Sequence, residues 1–290
     1  MFIKRLQRNF ALLDLPIAHK GIYGTNEQIT IRENSLESIK LAIKKNIPFE
    51  FDIHQTKDDI PIIYHDFNIY INNSKYPIRK YTLEEIRNIT KDNIYIPTLE
   101  EVVNLNRKTK VPMLLDFKET GFIFLSKYRK NIIKILKNYT GEYAIEAFNP
   151  FFVLRMGLEL PKALRGQLIC RGKTLIDCFN FKKHPSIGTL YEKLQSLICF
   201  IANADFIAME ITPSIKFDSI IEKSFSNNVD KIQDIVVKLT SLATKKPVIG
   251  WTYINPEDIK EVNHLFQNYI FDTPNNNLNE YDKIFKSLLN

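Results

Sequence analysis

Two hydrophobic periods alternate along the chain. Short apolar runs rich in β-branched and aromatic residues recur at 16–21, 49–54, 112–118, 143–148, 162–168, 205–211, 247–253 and 268–273. Between most of them lie longer segments with helical spacing. Residues 34–46 place apolar side chains at 36, 39, 41 and 43, and 98–108, 125–138 and 229–243 have similar patterns. Asn34 with Glu37, and Thr98 with Glu101, have the spacing of capping boxes. Alternation of strand and helix predicts a mostly parallel sheet. Eight strands predict closure into an α/β (β/α)8 barrel, a TIM barrel, rather than an open sheet. One domain spanning 1–290 is expected, since barrels of this kind fill such a length as one unit. The rhythm breaks after the second strand, where QTKDD and then IPIIYHD read as a turn and a returning strand. A small inserted subdomain at about 55–97 is therefore expected between strand 2 and helix 2. Residues 171–200 form a second long connection, partly helical.

The second strand carries unusual chemistry. Phe49, Phe51 and Ile53 alternate with Glu50, Asp52 and His54, so one face is apolar and the other holds two carboxylates and an imidazole. Two like charges at that spacing repel unless a cation lies between them. Asp116 and Lys118 repeat the two-residue spacing on the third strand. In such barrels the active site lies at the C-terminal strand ends, where His19, Lys20, Glu50, Asp52, His54, Asp116, Lys118, Glu146, Glu210 and Trp251 collect. Three convergent oxygen donors, Glu50, Asp52 and Asp116, suit one hard divalent cation, Mg²⁺ or Ca²⁺. The same pattern equally suits a salt network with Lys20, Lys118 or Arg165. Glu146 and Glu210 interrupt apolar runs and fit either pocket lining or pairing with arginine. His184 and His264 read as surface residues, and Trp251 as a core or rim residue.

Composition narrows the picture further. Of 290 residues, 44% are hydrophobic and 25% charged, and the net charge is +7. That charge suits an anionic substrate or a membrane surface, but it is spread along the chain, and no nucleic-acid-binding motif accompanies it. Cys170, Cys178 and Cys199 are odd in number and lack CxxC spacing, which argues against a disulfide framework or a zinc site and fits a reduced, cytoplasmic setting. The first apolar run is cut by Asp14 and no small-residue cleavage site follows, so no signal peptide is expected. No stretch approaches the roughly 18 apolar residues of a membrane span. Residues 1–13 allow at most a peripheral membrane contact.

The motifs, in order, resemble the glycerophosphodiester phosphodiesterases. IAHKG (17–21), RENS (32–35), FEFDIHQTKD (49–58), IIYHD (62–66), IPTLEEV (96–102), LLDFK (114–118), AFNP (147–150), WTYIN (251–255) and FDTP (271–274) follow the family's sequence nearly end to end. The resemblance implies a barrel with an insertion after its second strand. It implies metal ligands at Glu50, Asp52 and Asp116, an acid–base pair at His19 and His65, and phosphate contacts at Lys20 and Lys118. Glu33 and Trp251 fall at substrate-binding positions, and Asn34 belongs to the Glu-Asn motif as a site support or helix cap. The implied reaction is metal-dependent hydrolysis of a glycerophosphodiester to an alcohol and sn-glycerol 3-phosphate. A lysophospholipase D-like action on lysolipids, or a barrel that binds phosphodiesters without turnover, are the alternatives. The hairpin is expected to bring His65 towards the cation, leaving His54 at the rim. Three departures stand out: Lys20 where the family has Arg, Asp116 where Glu is commoner, and Asp58-Asp59 where a turn would have Asp-Gly. Lysine keeps the charge but lacks arginine's bidentate fork.

Overall fold

The computed structural model describes residues 10–118, 126–170, 186–210, 246–253, 266–273 and 276–289. Eight strands form the barrel: β1 (Ile17–Ala18), β2 (Phe49–Gln55), β3 (Met113–Phe117), β4 (Tyr143–Ala147), β5 (Leu164–Ile169), β6 (Phe206–Glu210), β7 (Val248–Tyr253) and β8 (Asn268–Phe271). Successive strands pair in parallel. The sheet closes because β1 pairs with both β8, Ile17 opposite Ile270, and β2, Ala18 opposite Phe49.

The two-residue period divides each strand between two apolar layers. Phe49, Phe51, Ile53, Leu115 and Phe117 face outward and pack on Ile39, Val102, Val103 and Ile132 of the helices Leu36–Lys45, Leu99–Asn106 and Lys127–Leu136. Leu114, Ala144, Leu164, Phe206 and Ile249 fill the interior, and Leu12 joins them. Leu12 belongs to the short helix Ala11–Asp14. Glu142 accepts from the Ala11 and Leu12 amides at 3.0 and 2.8 Å, and Asn268 Nδ2 donates to the Leu12 and Leu15 carbonyls at 2.9 and 2.7 Å. Both anchors lie at the N-terminal ends of the strands, so this segment plugs that end and the polar residues gather at the other.

Helix starts follow the sequence with one correction. Thr98 and Glu101 form the expected capping box. Before Leu36–Lys45, however, the box is Ser35 with Ser38, not Asn34 with Glu37. Asn34 adopts φ +51°, a left-handed conformation that asparagine tolerates, and its side chain serves the barrel mouth instead. After β2 the chain returns as Pro61–Ile63, antiparallel to β2, through a turn that places Asp59 at φ +67°. A hairpin of Asn68–Ile71 and Ser74–Pro77 and the helix Leu83–Thr90 follow. Ile62, Ile69, Ile78, Ile86 and Ile96 form their own buried cluster. The later connection contains the helix Ser186–Ala202. The helix expected at 229–243, His184, His264 and Cys178 lie outside the described residues. Among the described residues no helix is long and apolar enough to cross a membrane.

Phe51 tests the outer layer. It is fully buried and its ring lies 5.9 Å from that of Phe49. Phe51→Ala is expected to cost about 3–5 kcal/mol, seen as a lower urea midpoint with unchanged m; a loss below about 1 kcal/mol would contradict this packing.

Candidate active site

The inner face of β2 presents Glu50 and Asp52, and β3 presents Asp116 directly opposite Asp52. All three are buried, and each offers an oxygen within 4.8 Å of the other two. The shorter arm of Asp116 therefore reaches the cluster. Lys118 Nζ lies 2.5 Å from Asp116 Oδ2 and 2.7 Å from Asp52 Oδ1. The Lys20 amide donates to Glu50 Oε2 at 2.8 Å. Asn34 grips Asp52 at two points: Nδ2 donates to Oδ2 at 2.7 Å, and Oδ1 accepts from the Asp52 amide at 3.0 Å. Lys20 reaches its place with φ +56°. That conformation is unfavourable for lysine and persists only where surroundings hold it. Here its carbonyl accepts from the Asn34 amide at 3.0 Å and the Ser38 hydroxyl at 3.1 Å.

Charge is distributed unevenly over the cluster. Burial, then Asp52 and Asp116, push the Glu50 carboxyl well above its usual range. Burial also raises Asp116, against the pull of Lys118. Asp52 is buried too, but Lys118, His65, Lys20 and His19 outweigh burial and hold it well below the usual range. Burial works against the Lys118 ammonium, yet Asp116, Asp52 and Glu50 hold it firmly charged. Of the three basic residues considered from sequence, Lys118 bonds the cluster's side chains. Lys20 Nζ instead pairs with Glu33 at 3.0 Å, and Arg165 with Asp205 at 3.3 Å. Asp116 Oδ1 is buried without a hydrogen-bond partner. A compact set of carboxylate oxygens with an unpartnered member fits a hard divalent cation.

Each flanking histidine is paired with a carboxylate. His19 Nδ1 lies 2.7 Å from Asp272 Oδ2, and Tyr23 also hydrogen-bonds Asp272. His65 Nδ1 lies 2.7 Å from Asp66 Oδ1. Both carboxylates engage Nδ1, which fixes the tautomer and leaves Nε2 to exchange a proton. His54 is not a rim residue. It is fully buried, its Nε2–H donates to the His65 carbonyl at 2.9 Å, and its ring meets Phe67 edge-on at 5.1 Å. Burial lowers its pKa to about 4, so it stays neutral and braces the loop that carries His65. Trp251 stands perpendicular to Phe148 with ring centroids 6.4 Å apart, and is in register with Glu210. Glu146 lies inside the barrel beside Asp116. Asp272 was missed as a site residue, although an acid directly after the apolar run of β8 marked the strand's C-terminal end.

Comparison with known proteins adds lineage to this geometry. The profile of the Glycerophosphoryl diester phosphodiesterase family matches residues 19–271. A glycerophosphocholine phosphodiesterase of Eremothecium gossypii is 36% identical over 73 residues, which is 24% of this chain and 6% of that protein. A mouse protein of the same description is 28% identical over 111 residues, 36% of this chain and 16% of its own. The match thus spans a small part of these curated relatives. Among solved structures, an Oleispira antarctica phosphodiesterase in complex with the product sn-glycerol-3-phosphate has TM-score 0.60 at 19% identity, covering 94% of this chain and 98% of its own. A Thermotoga maritima glycerophosphodiester phosphodiesterase has TM-score 0.59 at 16% identity, covering 93% and 98%. At such identities the structural likeness establishes the shared barrel.

The raised carboxyls give a pH signature. Glu50 has a folded pKa above its reference of 4.5, so its stabilising contribution is complete below about that pH and is lost as pH rises through the folded value. A divalent cation needs the ionised form and competes with the proton. The increase in Tm caused by excess Mg²⁺ or Ca²⁺ is therefore expected to grow from pH 5 to pH 8. At a hundredfold excess over Kd it should reach roughly 5–10 °C. An equal shift at both pH values, in differential scanning fluorimetry, would contradict the cluster as a cation site.

Proposed function

The chain belongs to the glycerophosphoryl diester phosphodiesterase family, and we propose that it hydrolyses glycerophosphodiesters to an alcohol and sn-glycerol 3-phosphate. The observation that carries this reading is the pairing of two histidine–carboxylate couples with the buried cluster of Glu50, Asp52 and Asp116. Both imidazoles act electrostatically on Asp52. The curated relatives described as glycerophosphocholine phosphodiesterases support a small diester substrate, and the product described in the Oleispira antarctica structure supports the glycerol phosphate half.

Glu50, Asp52 and Asp116 would hold one divalent cation. When bound, it would supply positive charge to neutralise the phosphate and stabilise the charge that builds in the transition state. Lys118 and Lys20 add positive charge at the same opening and draw in the anionic diester. A histidine Nε2 takes the proton of the attacking hydroxyl, which the family resemblance implies is the substrate's own glycerol hydroxyl. The other imidazolium returns a proton to the departing alkoxide. Water then opens the cyclic phosphate with the two roles reversed. Asp272 and Asp66 hold each ring in the tautomer this requires. Lysine at position 20 serves as a point charge, since its ammonium lacks the planar fork that would grip two phosphate oxygens.

The test is release of sn-glycerol 3-phosphate by purified protein from a panel of soluble glycerophosphodiesters and lysolipids, with Mg²⁺, with Ca²⁺ and with chelator. Chelation is expected to abolish turnover. Glu50→Ala, Asp52→Ala and His19→Ala should each lower kcat by about 10²-fold or more. Undiminished turnover in these variants would overturn the site, and preference for lysolipids would move the substrate to the lipid class. Asp272→Asn is expected to lower kcat by about 10²-fold with little change in KM and to displace one limb of the pH–rate profile. An unaltered profile would reduce Asp272 to a structural residue.

A further inference from the structure

Glu146 has no part in the scheme above, yet it lies beside it. On β4 the residues Tyr143, Ile145 and Ala147 pack outward into the layer beneath the helices, while Ala144 faces the barrel interior. Alternation therefore places Glu146 inside. It is paired in register with Asp116 on the adjacent strand, and only 2% of it is exposed. Its Oε2 has no hydrogen-bond partner, nor has Asp116 Oδ1. The cation beside the cluster, Lys118, is engaged by Asp52 and Asp116. On its other side the neighbouring strand presents no side chain at the paired position. Gly166 of β5 stands opposite Glu146, and a Cβ there would lie 3.0 Å from the Glu146 Cβ and 2.4 Å from Phe206 Cζ. Apolar packing thus closes one side of Glu146, and the polar direction open to it leads to Asp116 and the mouth.

A buried carboxyl oxygen without a partner is unfavourable, and an apolar residue of similar size would fill this place without that cost. The arrangement becomes favourable if a partner comes from outside the chain. Glu146 is not part of the three-residue group whose donor atoms all lie within 4.8 Å of one another, so it is not placed as a fourth direct donor. A hydrated divalent cation reaches past its direct ligands through its bound waters, and Mg²⁺ in particular gives up its waters reluctantly. We propose that Glu146 is a cation-positioning residue: it accepts hydrogen bonds from the waters of a divalent cation held by Glu50, Asp52 and Asp116, and biases the site towards Mg²⁺ over Ca²⁺. This rests on the proposed cation site and deepens it. A partner of this kind orients metal-bound groups and typically governs affinity by about 10–100-fold. It also gives the shortened Asp116 a reason to be tolerated, because the neighbouring strand restores the negative charge and reach on that side.

The experiment is equilibrium dialysis of the metal-free protein against Mg²⁺ and, separately, Ca²⁺, with bound metal measured directly. Wild type, Glu146→Gln and Glu146→Leu are compared, and the Tm of each metal-free protein controls for folding. Glu146→Gln keeps the size and an acceptor but removes the charge, so the test survives if the leucine variant does not fold. Mg²⁺ affinity is expected to fall about 10-fold or more in Glu146→Gln, with a smaller loss for Ca²⁺ and no loss of metal-free Tm. Wild-type affinity for both ions carried undiminished into the folded variants overturns this inference alone. Equal losses for the two ions overturn the bias towards Mg²⁺. A wild-type protein that binds neither ion overturns the cation site itself, and this inference with it.

Discussion

Burial of negative charge at the open end of an apolar barrel governs the rest of this structure. Glu50, Asp52, Asp116 and Glu146 are at most 6% exposed, and water can do little to solvate them there. Like charges so close cannot all ionise without compensation. The chain supplies that compensation from several directions: the Lys118 ammonium, the Lys20 amide, the Asn34 carboxamide and two imidazoles. Each is costly to place. Lys20 and Asn34 both adopt positive φ, and the Ser35–Ser38 cap begins its helix immediately after Asn34. Loop, cap and strand end are therefore one unit organised around Asp52. The plug at the opposite end, with Leu12 held by Glu142 and Asn268, closes the interior to water from below and keeps the field of these charges strong.

The barrel was legible in the sequence because its strands carry both signals at once. β2 reads Phe-Glu-Phe-Asp-Ile-His, and the structure assigns the apolar set to the outer layer and the polar set to the interior. Asp116 was legible for the same reason, since a repeated two-residue spacing on a neighbouring strand places its side chain on the same face. Pattern alone did not separate a cation site from a salt network, because Lys118 satisfies both descriptions. His65 entered through family resemblance, as nothing in its local pattern distinguishes it from any loop histidine.

Residues that act through long-range contacts were harder to read. Asp272 lies 253 positions from His19, and their pairing follows from barrel closure, which brings the last strand beside the first. Asn34 looked like a helix cap because Asn is a good capping residue. Ser35, one position on, offered a better cap with Ser38, and that freed Asn34 to bind Asp52. His54 shared the inward phase of Glu50 and Asp52 and lay further along the strand, which suggested the rim. The returning strand Pro61–Ile63 covers that end of β2, so the position is buried and its imidazole faces the His65 carbonyl.

The two histidine couples differ in a way that matters for proton traffic. His19 and Asp272 have side-chain exposures of 19% and 13%, whereas His65 and Asp66 have 42% and 57%. The first couple is enclosed and braced by Tyr23. The second is open to solvent, and its position depends on the buried contact between His54 and the His65 carbonyl. An exposed imidazole meets water directly, and water also screens its carboxylate. An enclosed couple is screened less by water. The two-stage hydrolysis proposed above would have to retain a proton between its stages and admit water to the second, and one couple of each kind would serve it. The fold provides them by drawing one from the end of β1, inside the barrel wall, and the other from a hairpin that lies over its mouth.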